Sequence, residues 1–260
     1  MLPTVNRVKQ RVQEGKTVLG FVCRTLSPVI VEIIGQSGFD FVWIDMEHTG
    51  ADFMSVEALC RSADATGIES LVRVPDKNPS NVLRALEVGA GIVNVPQISD
   101  RAEVEALVRA AKYAPGGERG YCASSRGARY GFLGDARTTF ASANERTMTM
   151  VQIESSRGVT NAPDICAVSG LDAVFVGLAD LSQSLGITGQ LDHPSLLEAA
   201  LKVVRTSRAA GKASAMIVET PEDASKWVAE GVQILACGVD VLTFGRTLRR
   251  ITDEFKAFRT

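Results

Sequence analysis

The chain has 260 residues, 45% of them hydrophobic, with 28 Lys plus Arg against 30 Asp plus Glu and a net charge of −2. That length holds two small domains or one large one, because α/β barrels reach about 200–250 residues as single units, and the near-balanced charge excludes the basic footprint of a nucleic-acid or anionic-membrane partner. Cys23, Cys60, Cys122, Cys166 and Cys237 are odd in number without a CxxC pair, the N-terminal MLPTVNRVKQRVQEGK lacks a signal peptide's apolar core, and every hydrophobic run is interrupted well before the roughly 20 residues of a membrane span; a soluble, reduced, cytoplasmic chain is expected.

In chain order, short apolar, β-branched runs bounded by Gly, Pro, Asp or Asn alternate with stretches of helical spacing. Thr17–Arg24 reads as a first strand, followed by a helix over Pro28–Gln36. Phe39–Met46 with helix Met54–Ala65, Ser70–Val74 with helix Pro79–Val88, and Gly91–Pro96 with helix Arg101–Lys112 repeat the unit. Four more strands follow at Met148–Ile153, Ala173–Gly177, Ala213–Val218 and Gln233–Cys237, with helices over Pro194–Ala210, Pro221–Glu230 and Thr247–Phe258. Pro79, Pro194 and Pro221 sit where a first-turn proline is tolerated, and Gly211 and Gly231 follow helix ends. Eight such units predict an α/β protein, a single-domain (β/α)8 TIM barrel over residues 1–260, where a doubly wound sheet more usually stops at five to seven strands. The segment 97–146 between the fourth and fifth strands is much longer than the other connections; such an insertion serves as an active-site lid or an oligomer contact.

In a barrel, chemistry projects from the C-terminal ends of the strands, and polar residues collect there. The second strand ends Asp45-Met46-Glu47-His48, the third ends Val72-Arg73-Val74-Pro75, the fifth ends Gln152-Ile153-Glu154 and the sixth runs through Gly177 to Asp180. Gln152 and Glu154, two apart, share a face. Glu154 and Asp180 can hold a divalent cation with two oxygens, leaving the other positions to water and substrate; equally, they can cap helices or form loop ion pairs, and Asp180 precedes Leu-Ser as a short-helix cap would. His48, with Asp45 and Glu47 on its segment, suits a general base or a hydrogen-bonded loop histidine. His193 reads as a turn entering a helix. Arg73, inside an apolar strand, must face an anion, either a structural acid or a substrate carboxylate or enolate. None of the eight lysines lies within or at the C-terminal end of a strand, and Lys77 alone is near the rim, which favours metal-stabilised over imine-stabilised carbanion chemistry. Ile217, near the end of the seventh strand, is either a specificity wall or core.

At these residues the chain resembles the HpcH/HpaI family of class II, metal-dependent aldolases. The resemblance spans nearly the whole chain and rests on Phe41–His48, Val72–Pro75, Pro115–Gly120, Gln152–Ser155 and Gly177–Ser182. It implies that Glu154 and Asp180 bind Mg²⁺, Mn²⁺ or Co²⁺, that the metal is chelated by the carboxylate and keto oxygens of pyruvate, that Arg73 stabilises the enolate, and that the His48 base is oriented by Asp45. It further implies that Gln152, Gly177, Ala179 and Asp180 line the substrate site with backbone N–H groups receiving its carboxylate, that the chain is a homo-oligomer, a hexamer with helices exchanged between subunits, and that Glu87 reaches a neighbour's site. Leu178 departs from the family, which commonly has proline there.

The expected reaction is reversible cleavage of a 4-hydroxy-2-oxo acid to pyruvate, or a related 2-oxo acid, and an aldehyde through a metal-bound enolate. Two alternatives stand beside it. A carbon–carbon lyase resembling the citrate-lyase β-subunit or malyl-CoA lyase shares the barrel, acids and arginine, but no sequence feature provides a nucleotide pocket. A catalytically silent barrel would use the 97–146 insertion as an interface.

Overall fold

The structure, a computed structural model, describes residues 5–132 and 134–259. All eight predicted runs are strands, with ends shifted by at most two residues: β1 (Val18–Cys23), β2 (Phe41–Asp45), β3 (Glu69–Arg73), β4 (Ile92–Val95), β5 (Met148–Ile153), β6 (Ala173–Val176), β7 (Ala213–Ile217) and β8 (Ile234–Val239). Each pairs in parallel with its sequence neighbour, and β8 pairs with β1 to close the barrel. Alternation along the strands divides the core into two layers. Val18, Val22, Phe41, Trp43, Leu71, Ile92, Met148, Met150 and Phe175 fill the interior. Val42, Ile44, Val72, Val93, Val151 and Val174 point outward, beneath helix residues such as Leu59, Leu107 and Val203. Gly20 is required by this packing, since a Cβ there would lie 2.3 Å from the Phe41 ring.

The helices are α1 (Arg7–Gln13), α2 (Pro28–Gln36), α3 (Phe53–Thr66), α4 (Pro79–Glu87), α5 (Arg101–Ala111), α6 (Ala136–Arg146), α7 (Ser156–Thr160), α8 (Ala162–Cys166), α9 (Leu178–Ser184), α10 (Pro194–Ala209), α11 (Pro221–Glu230) and α12 (Asp240–Glu254). The side chains of Asp52, Asn78, Asp100 and Thr220 accept first-turn N–H groups of α3, α4, α5 and α11. His193 caps α10, its Nδ1 accepting from the Ser195 N–H at 3.3 Å, in line with the turn reading. Helices α1 and α6 to α9 were not expected from the sequence. Four of these five span only five to seven residues, too short for a full amphipathic repeat, and α6 buries only Thr139.

Helix α12 begins at Asp240, seven residues before the predicted start at Thr247. Asp240 takes the Arg24 N–H at 2.9 Å, and the Thr25 N–H and hydroxyl at 3.0 and 2.5 Å, tying the β8 end to the β1 end. Beyond it the helix leaves the barrel: Leu242, Phe244, Leu248, Ile251 and Phe255 are all exposed, and Asp240 is its only buried residue. Among the described residues no helix is long and apolar enough to cross a membrane.

Candidate active site

The C-terminal rim carries one hydrogen-bonded chain of polar side chains that crosses five strands. Arg24, one residue past β1, donates its Nε to Asp45 Oδ2 at 2.9 Å. Arg73, the last residue of β3, donates Nε and Nη2 to the two Asp45 oxygens at 2.9 and 2.6 Å. Its Nη1 lies 2.9 Å from Glu47 Oε2, and its guanidinium sits 5.6 Å from the Trp43 ring centroid. Gln97 bridges onward: its Nε2 donates to Glu47 Oε1 at 3.1 Å and its backbone N–H to Glu154 Oε1 at 2.6 Å. Gln152 Nε2 donates to Glu154 Oε2 at 2.9 Å, and Asn94 Nδ2 to Gln152 Oε1 at 2.8 Å. Arg73 is thus matched by acids on its own rim, as a guanidinium among apolar strands requires.

Two carboxyls of this chain, Asp45 and Glu154, are tuned in opposite directions. Asp45 is fully buried, and burial alone would raise it; the hydrogen bonds and charge of Arg73, with the charge of Arg24, outweigh that and hold it below the usual range. Glu154 is pushed up to about 7 by burial and by the nearby Glu47 and Asp180 charges, against the relief given by the Gln97 N–H and Arg73. Strongly shifted acids gathered on one rim are candidates for a functional site.

A cleft of ≈ 420 Å³ opens over Glu154 and Asp180, lined also by Gln97, Ser99, Arg157 and Gln183. Asp180 lies in the first turn of α9, exposed, while Gly177 caps that helix. A Cβ on Gly177 would meet Glu154 Oε2 at 2.6 Å, so only glycine lets the β6–α9 turn close on the carboxylate. Among the described residues no three His, Cys, Asp or Glu side chains gather into a closed metal cage. The donor set nonetheless fits a hard cation: two carboxylates whose crowding already drives one towards protonation, with space for further oxygens.

Most of the predicted residues meet here, with two corrections to their roles. Asp45 does not orient the His48 ring. It is the last residue of β2, and its carboxylate is taken by the two arginines and by the backbone N–H groups of Glu47 and His48 at 3.0 and 3.3 Å. It therefore shapes the turn that presents His48. The carboxylate near the imidazole is Glu47, with Oε2 3.8 Å from Nε2, and the His48 side chain is 50% exposed. Gln152 has no exposed surface with which to touch a substrate; inward alternation places it one layer below Glu154, where it holds that carboxylate. Leu178 and Ala179 open α9, and the N–H groups of Leu178, Ala179 and Asp180 have no intrahelical acceptor. Ile217 ends β7, half-buried against the barrel interior. Glu87 stands apart at the end of α4, where Arg119 Nη2 donates to it at 2.8 Å.

Three members of this hydrogen-bonded chain, Arg24, Gln97 and Asn94, lie outside the sequence expectations. Arg24 and Gln97 sit at or just past strand ends, a signal that was available; Gln97 also has a left-handed backbone, φ 58°, which sequence does not announce in a glutamine. Among the described residues no lysine joins this hydrogen-bonded chain. Lys77 is paired with Glu103, and Lys112, lowered to about 8 by burial and by Lys9, donates to the carbonyls of Asn144 and Thr147 at the opposite end of β5.

A profile of the HpcH/HpaI aldolase/citrate lyase family matches residues 20–246. The chain is 30% identical over 251 residues, 96% of its length and 97% of the relative's, to the 5-keto-4-deoxy-D-glucarate aldolase of Shigella dysenteriae. Among solved structures it is similar to an HpcH/HpaI aldolase/citrate lyase family protein from Burkholderia cenocepacia, with a TM-score of 0.91 and 30% identity over 97% of this chain and 100% of that one. It is also similar to the citrate synthase SbnG, with a TM-score of 0.87 and 32% identity over 96% and 97% of the two chains.

Proposed function

The chain belongs to the HpcH/HpaI aldolase/citrate lyase family and is a carbon–carbon lyase; we propose that it reversibly cleaves a 4-hydroxy-2-oxo acid into pyruvate, or a related 2-oxo acid, and an aldehyde. The observation that carries this reading is the pairing, on one rim, of a buried Glu154 raised to about 7 beside Asp180 with the Asp45–Arg73 pair and the exposed His48 across from them. Glu154 and Asp180 are the residues that would hold Mg²⁺, Mn²⁺ or Co²⁺. Such an ion, when bound, acts as a Lewis acid on the keto oxygen and lowers the cost of negative charge there.

The protein's own groups do the rest. The free N–H groups at the start of α9 receive the substrate carboxylate. An imidazole nitrogen of His48 accepts the C4 hydroxyl proton as the C3–C4 bond breaks, and Glu47 stabilises the imidazolium so formed. The bond's electron pair moves onto the pyruvate half as an enolate, whose oxygen the preorganised Arg73 guanidinium neutralises, and return of the proton from the His48 imidazolium to C3 then gives pyruvate. Ile217 borders the aldehyde half. Association through an exchanged α12, in a hexamer, would cover that helix's exposed apolar face and could bring the Glu87–Arg119 pair to a neighbour's site.

Deuterium exchange into the pyruvate methyl tests the enolate step. The expected result is exchange with Mn²⁺ that EDTA abolishes and that falls by about 10²–10⁴-fold in His48→Ala, with a comparable loss in Arg73→Ala. Silence under added Mn²⁺ would favour a binding barrel, and a covalent pyruvate adduct trapped by borohydride would overturn the metal account. Similarity to citrate synthase SbnG favours one second reading, carbon–carbon bond formation onto a 2-oxo acid; citrate as the product, in place of an aldol, would identify it.

A further inference from the structure

We propose that Arg24 selects the acceptor, binding a carboxylate carried by the aldehyde half of the substrate. This rests on the aldolase reading above and adds a specificity-determining residue to it. The barrel order places β1 four strands from β5 and three from β6, so Arg24 faces the site from the side opposite Glu154 and Asp180. A substrate held by its 2-oxo acid end over β5 and β6, with its breaking bond beside Arg73 and His48 at β3 and β2, extends its aldehyde end towards β1.

The two rim arginines differ in what they have left to offer. Arg73 is 8% exposed, and its Nε and both Nη groups already face Asp45 and Glu47, which leaves one N–H on each Nη for the enolate. Arg24 is 31% exposed and commits only Nε, to Asp45. Among the described residues neither of its Nη groups has a partner, and neither is among the buried unpartnered atoms, so both are open to solvent. They form a fork suited to a carboxylate.

The fork is also held in place, unlike that of an ordinary surface arginine. Its Nε is anchored on a fully buried acid. Its backbone N–H is fixed by Asp240, which takes the next residue's N–H and hydroxyl as well. Leu26, two residues on, is in the left-handed region at φ 54°, a conformation that a leucine keeps only when its surroundings impose it. A preorganised donor pair costs less ordering on binding than a mobile one.

A purely supporting role for Arg24, balancing Asp45 beside Arg73, makes a different prediction, and one experiment separates the two. Condensation of pyruvate is measured with succinic semialdehyde and with butanal, for the wild type, Arg24→Met and Arg24→Lys, alongside pyruvate methyl exchange. The expected result is a wild-type preference for the semialdehyde that falls by about 10- to 100-fold in Arg24→Met, the scale of a lost charge-assisted hydrogen bond, chiefly through a higher KM for the semialdehyde. Arg24→Lys should restore part of that preference. Equal losses on both aldehydes, with exchange retained in the wild type, would overturn the assignment alone and leave Arg24 a positioning residue. Absence of exchange in the wild type would overturn the aldolase reading and the assignment together.

Discussion

Glu154 ties the site to a measurable pH dependence. Its folded carboxyl stands at about 7 against an ordinary 4.5, because burial and the neighbouring acids penalise its charge. Between those values the folded chain binds more protons here than the unfolded chain does, so this group's stabilisation is complete below pH 4.5 and is lost as pH rises through 7. In EDTA, the wild-type Tm should therefore fall between pH 5 and 8 more steeply than that of Glu154→Gln; parallel profiles would show that the carboxyl is not strained by its surroundings. That Glu154, Arg73 and Asp45 are candidates for a site is legible in the sequence because charged groups interrupt apolar strands at one end, and burying a charge has few uses. Their partners were not legible. Asp45 and Glu47 are equally near His48 along the chain, and only the inward turn of the β2 end, which gives Asp45 to two arginines, leaves Glu47 beside the imidazole.

Strands were read to within two residues because both of their faces are buried, which leaves dense β-branched runs with sharp polar ends. Helices α7, α8 and α9 escape the sequence pattern for the converse reason: each spans seven residues or fewer, and each packs against α10, so its stability comes from tertiary contact and not from a sequence period. The β8–α12 junction shows tertiary contacts moving an element's start. Asp240, 6% exposed, accepts two N–H groups and a hydroxyl from the β1–α2 loop, so it closes the barrel seam while opening the helix. Asp240→Ala should lower unfolding stability by about 2–3 kcal/mol, the range for hydrogen bonds to a buried charge, with a smaller loss in Asp240→Asn, as read by urea denaturation. A loss below 0.5 kcal/mol, no more than that of an ordinary surface substitution, would mean that the loop is held by other contacts.

For the whole molecule, the unanswered demand of the structure is α12. Val241, Phe244, Leu248, Ile251 and Phe255 share one apolar face that the described residues leave uncovered, with Leu242 exposed on the other side of the helix, and Leu19 on β1 and Ile33 on α2 are exposed as well. An exposed apolar area of that kind is what an interface between copies of the chain would cover. Light scattering should find an oligomer for the wild type and a monomer for the Phe244→Asp, Leu248→Asp double variant; a monomeric wild type would remove the exchanged-helix reading. In the sequence this stripe is simply an amphipathic helix, indistinguishable from the ones that pack on the barrel, because periodicity says that a face is buried and never against what.

The order and number of strands, the barrel, the end at which the polar side chains gather and the residue types found there were all determined by the sequence alone. Each depends on local periodicity or on the cost of burying charge, which a linear chain displays. The depth of Gln152, the sharing of Asp45 by Arg24 and Arg73, the left-handed Gln97 and the closeness of Gly177 to Glu154 were decided only by the tertiary structure. Each is a relation between strands distant in the chain, settled by barrel register and by the ångström-scale fit that follows when eight strands close.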